Sequence, residues 1–181
     1  MIKPIKVIFI LILLVFLGYL ILPASDFPSP PPDSIRSFEP ADVETPLRRG
    51  YYTDFTRNEV MNYYFNQFKR IKFMNILLPT YTLNYPPEEA QVLIRDQARS
   101  TVLEEIVHPF RESIFVNGFE PKEAKDVIVV EEKNWRQKII IRDIPTSPYV
   151  RVVFGTISVV LIYLLTKEYW YTFTKIKHGL N

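Results

Sequence analysis

Residues 7–22 read VIFILILLVFLGYLIL and residues 152–165 read VVFGTISVVLIYLL, and neither stretch contains a charged side chain. At about 1.5 Å per residue, the first run approaches the roughly 30 Å hydrocarbon thickness of a bilayer. The second is shorter. Tyr149 on one side and Tyr169, Trp170, Tyr171 and Phe173 on the other extend it as an interfacial aromatic belt does. The chain therefore reads as two transmembrane helices holding one domain of ordinary polar composition between them. The lipid bilayer is its first expected partner.

Lys3 and Lys6 precede the first run, and Lys167, Lys175 and Lys177 follow the second. By the positive-inside rule both termini are cytoplasmic and residues 24–148 lie outside the cytoplasm. Residues 24–148 hold 16 Lys/Arg and 19 Asp/Glu, a net of −3, whereas the remainder holds 6 and 1, a net of +5. The basic balance thus belongs to the membrane flanks, and nucleic acid is not an expected partner. Arg151, at the outer edge of the second run, is expected to snorkel outward. A cleaved signal peptide is the rival reading of the first run, and it leaves residues 24–148 on the same side.

The absence of cysteine removes disulfides, thiol catalysis and thiolate metal sites together. No Asn begins an Asn-X-Ser/Thr sequon, which a eukaryotic ectodomain of this size often carries. Both features favour a bacterial or archaeal cell membrane. The expected organisation is an N-terminal anchor over 1–23 and a Pro-rich linker over 24–50. An extracytoplasmic domain over 51–148 follows, then a C-terminal transmembrane helix over 149–168 and a short basic cytoplasmic tail over 169–181. Residues 23–46 contain seven of the fifteen prolines, so that segment is extended: a tether, a strap over the domain or a docking strip.

Within the domain, Thr56 and Glu59 have capping-box spacing, and Val60, Tyr64, Phe68 and Ile71 recur on one helical face. The helix is predicted to stop near Lys72. Residues 76–85 alternate as a strand, with Tyr81, Leu83 and Tyr85 on one side. Pro86-Pro87 and Glu88-Glu89 open a second helix, and a stripe jump near Thr101 predicts a break and a short helix ending before Pro109. Ser113–Val116 is predicted as a strand ending at the turn dipeptide Asn117-Gly118. Val127–Val130 and Gln137–Arg142 are predicted to pair across a loop at 131–136. The expected fold class is α+β, a small single-sheet domain with helices on one face.

Signals for chemistry are few. The two histidines, His108 and His178, fall on opposite sides of the membrane in this topology, and His108 reads as a surface or capping residue. Five glycines in all leave no phosphate-binding loop, and there is no GxSxG or SxxK. No cofactor is expected. The carboxylates Glu104-Glu105, Glu112 and Glu131-Glu132 are the residues an envelope-modifying hydrolase would draw on. The denser signal is aromatic: residues 51–85 hold ten Phe or Tyr, with Lys69, Arg70 and Lys72 between Phe68 and Phe73. Tyr63 and Phe65 lie at the edges of the helix's apolar arc. With Lys69, Arg70 and Lys72 they form the candidate interaction surface, because aromatic and basic side chains are enriched where proteins meet. The expected function is a non-enzymatic accessory or scaffold subunit of a cell-envelope or membrane complex, bound to a membrane or envelope protein.

Overall fold

A computed structural model describes residues 3–71, 75–84, 102–121 and 123–179. The chain divides into two compact units, residues 24–145 and the pair of terminal segments, 1–23 with 146–181. The predicted helix after Pro86-Pro87 lies outside the described residues.

The terminal unit is a pair of apolar helices, α1 (Lys3–Ile21) and α3 (Pro148–Gly179). α3 is long and apolar enough over Pro148–Ile176 to cross a membrane, and α1 carries a shorter apolar stretch, Val7–Ile21. The end of α1 meets the start of α3. A Cβ on Gly155 would collide with Leu20 and would lie 3.2 Å from the Phe16 ring, so the glycine is what lets the helices close. Arg151 does not snorkel outward as expected. It is buried, and its Nη1 donates to the Leu22 carbonyl at 3.0 Å. The physical reason is the end of α1, where orphan carbonyls and the negative pole of the helix dipole attract a cation.

The central unit is α+β. Its main sheet has six strands in the order β1-β2-β10-β7-β6-β5, all antiparallel. In chain order these are β1 (Ile35–Ser37), β2 (Arg48–Thr53), β5 (Tyr81–Asn84), β6 (Val102–Val107), β7 (Ser113–Phe119) and β10 (Gln137–Ile144). Helix α2 (Arg57–Phe68) leaves β2 and covers one sheet face. The described residues also form two short ladders, β3 (Arg70–Ile71) with β4 (Ile76–Leu77), and β8 (Ile128–Val130) with β9 (Lys133–Trp135). The core is the layer between α2 and the sheet. Val60, Tyr64 and Phe68 meet Tyr51, Ile106, Ile114, Val116, Ile139 and Ile141 there.

Three local readings are corrected by this arrangement. Val102–Val107 is a strand, not a short helix, and Ile106 packs in the same core as Tyr64 and Phe68. Alternation was hidden because Glu104 occupies an inward position beside Ile106. Arg57 neutralises it there, its Nε donating to Glu104 Oε1 at 2.6 Å. β7 runs straight through Asn117-Gly118, which pair with Ile140 and Ile139 of β10 instead of turning. Finally, β8 pairs with β9, and β10 pairs with β2 and β7. The turn between β8 and β9 is Glu131-Glu132, both at positive φ (53° and 61°), the conformation of a tight hairpin but without its usual Asn-Gly signal.

The expected linker, 24–50, belongs to this unit. β1 is the edge strand beside β2, and Phe27 packs against the core. The loop after β1 folds onto the second sheet face. Lys138 Nζ lies 2.7 Å from Asp42 Oδ2 and 2.8 Å from Glu39 Oε2, and Ser37 Oγ donates to Asp42 at 2.6 Å. Gly50 makes room for this, because a Cβ there would sit 2.6 Å from Asp42 Oδ2.

Candidate functional site

The capping box at the start of α2 is formed. The Glu59 amide reaches Thr56 Oγ1 at 3.4 Å, and Glu59 Oε2 accepts from the Thr56 amide at 2.7 Å. Those bonds to the charged form hold the Glu59 carboxyl below its usual range. The helix then presents Val60, Tyr64 and Phe68 inward and leaves Tyr63, Phe65 and Lys69 half-buried at its flanks, with Arg70 exposed beyond its end.

The two flanks differ. On one, Phe65 packs against the core edge, and Lys69 Nζ lies 5.9 Å from its ring centre while bonding Asn66 Oδ1 at 2.5 Å. Arg70 Nη1 donates to Asn75 Oδ1 at 3.1 Å. Both cations follow the last turn of α2, where its dipole favours them. Lys72 lies outside the described residues. On the other flank, the proline segment crosses the helix. Tyr63 Oη donates to Pro30 O at 2.6 Å, and the Gln67 amide brackets Ser29, accepting from its N–H at 3.0 Å and donating to its carbonyl at 3.4 Å. Tyr63 also stands edge-on to Phe55 and Tyr64, with centroids 6.1 and 5.4 Å apart. Burial pushes the Tyr63 phenol up from its ordinary value. An aromatic hydroxyl and a side-chain amide reading the carbonyls of a proline run is the chemistry of polyproline recognition, applied within one chain. Of the five predicted residues, the structure brings Phe65 and Lys69 together beside Arg70 and assigns Tyr63 to the strap. Gln67 was missed, and only its place one turn after Tyr63 pointed to it.

A second cluster closes the far end of α2. His108 is buried, not at the surface. Its Nε2 lies 2.8 Å from Phe68 O and its ring stacks on Phe68 at 4.1 Å. It does cap, but the helix it caps is α2. Its Nδ1 meets Pro79 O at 3.1 Å and Thr80 Oγ1 at 3.2 Å. Burial lowers its pKa, against the carbonyls that favour the charged ring. Beside it, Arg111 Nη2 donates to Glu112 Oε1 at 2.8 Å, and Ser25 Oγ donates to the same oxygen at 3.2 Å. Desolvation, reinforced by the Glu112 charge, pushes Asp143 up to about 6.

The carboxylates singled out for hydrolysis are dispersed. Glu104 pairs with Arg57, Glu112 with Arg111, and Glu131-Glu132 form the hairpin turn. Among the described residues no group of three or more His, Asp or Glu is placed to hold a metal. Comparison with known proteins gives no match: no family model, curated protein or solved structure is similar to this chain.

Proposed function

We propose that this protein is a non-enzymatic accessory or scaffold subunit of a cell-envelope or membrane complex. It spans the bilayer twice with both termini in the cytoplasm and presents residues 24–148 outside, in a bacterial or archaeal membrane. The observation that carries this reading is the antiparallel contact of α1 with α3, closed by Gly155 and by Arg151 on Leu22. Two apolar helices that pair at one end of each favour a hairpin crossing the bilayer over a removable leader. The pairing also supports an uncleaved anchor, because cleavage after Leu22 would remove an acceptor that Arg151 uses. The flank formed by Phe65, Lys69 and Arg70 is the proposed contact for a membrane or envelope protein.

Two measurements test it. Reporter fusions after Asn181 and within 24–50 are expected to give cytoplasmic and exported activity respectively; the reverse pattern overturns the topology. Phe65→Ala is expected to leave the domain folded and to release partners that co-purify with the wild-type chain from its native membrane. Unchanged co-purification removes the interface from this flank.

A further inference from the structure

The sheet face turned away from α2 carries a cleft of about 240 Å³, lined by Arg48, Arg142, Glu44, Asn117, Phe115 and Ile140. Arg48 and Arg142 are direct cross-strand partners on β2 and β10, so two guanidiniums share one face. Like charges directly opposite each other destabilise a sheet. Little offsets them here. Glu44 Oε2 lies 3.8 Å from Arg48 Nη1, and its side chain is 68% exposed, the geometry of a pair that contributes little. Arg48 Nε is buried with no acceptor among the described residues, and no hydrogen bond or ion pair among them engages the Arg142 guanidinium. The two cations and one carboxylate leave the cleft one positive charge in excess. Its floor is apolar, with Phe115 opposite Arg142 and Ile140 opposite Asn117 across the β7–β10 ladder.

We propose that this cleft binds a small monocarboxylic acid with an apolar body. Its carboxylate sits between Arg48 and Arg142, and its body lies on Phe115 and Ile140. The forked guanidinium matches a carboxylate in two parallel hydrogen bonds. A single negative charge neutralises the excess, whereas a phosphate dianion would leave the cleft with a net negative charge. The volume corresponds to about eight waters at about 30 Å³ each, enough for a ring or short alkyl chain. This site is distinct from the α2 flank and does not depend on that flank's partner.

Ligand-observed fluorine NMR with 4-fluorophenylacetate, on the full chain in a non-ionic detergent, tests the assignment. Saturable binding is expected, with the neutral amide of the same acid failing to bind. Arg142→Gln, at an exposed position, is expected to weaken binding about tenfold or more while the thermal transition stays in place or rises, because the facing guanidinium charge is removed. Glu44→Gln is expected to tighten it severalfold, a gain that a misfolded variant does not produce. Absence of binding at millimolar acid, equal binding of the amide, or affinity unchanged in both variants overturns the proposal. Inorganic phosphate that competes as strongly as the acid overturns the ligand class.

Discussion

Tyr64 is fully buried in the core, yet its hydroxyl has no hydrogen-bond partner among the described residues. Burial, reinforced by the neighbouring Tyr51 and Tyr63, drives its phenol far above the ordinary range. An unpaired buried hydroxyl costs about 1–3 kcal/mol, so Tyr64→Phe is expected to leave stability unchanged or raise it by about 1 kcal/mol, read by chemical denaturation. Phe68→Ala, by contrast, empties a core position stacked on His108 and is expected to cost about 3–5 kcal/mol. Asp143 gives a pH signature. Its folded pKa of about 6 lies above the ordinary 3.8, so the folded state holds the extra proton between those values. Its contribution to stability therefore falls as pH rises from about 4 to 6 and is flat above, a loss of about 3 kcal/mol. Asp143→Asn is expected to abolish that slope in unfolding measurements across this range. The inward facing of Tyr64 and Phe68 was legible in the helical period, whereas the unpaired hydroxyl, the stacking on His108 and the Asp143 shift were not, because they depend on neighbours distant in sequence.

At the scale of elements, α2 was legible because its start is local. Thr56 and Glu59 satisfy each other's backbone amides whatever else the chain does, and Thr56→Ala is expected to cost about 1 kcal/mol. The strand at Val102–Val107 was illegible for the opposite reason. The period of VLEEIV fits a strand only if a carboxylate points inward, and that is tolerable only with Arg57, 47 residues earlier, beside it. The proline segment was legible as extended chain, with a strap over the domain as one of its readings, but the groups that hold it were not. Its hold on α2 consists of Tyr63 and Gln67 bonding Pro30 and Ser29. Gln67→Ala is expected to cost about 1 kcal/mol and to speed chymotryptic cleavage next to Phe27, measured against the wild-type chain under the same conditions. Cleavage at the wild-type rate would show that the strap is held elsewhere.

For the whole molecule, the pairing of α1 with α3 turns on Gly155. Gly155→Leu is expected to separate the helices, seen as broadening and lengthening of the spin-label distance between Gly18→Cys and Ile157→Cys in detergent. Gly18 has open space around its Cα and Ile157 is half-exposed, so the labels themselves leave the contact intact. Composition and spacing alone established the two apolar segments, the α+β character of the centre, the capped helix and the extended proline run. Each of those depends on hydropathy or on groups within a few residues of one another, so no partner from a distant part of the chain is needed to specify it. The strand order, the course of β7 through Asn117-Gly118, the burial of His108 and the facing of Arg48 by Arg142 were decided only in three dimensions. Each is a meeting of residues tens of positions apart, and in each the local preference was weaker than the desolvation, hydrogen bonding or strand pairing that the assembled sheet supplies.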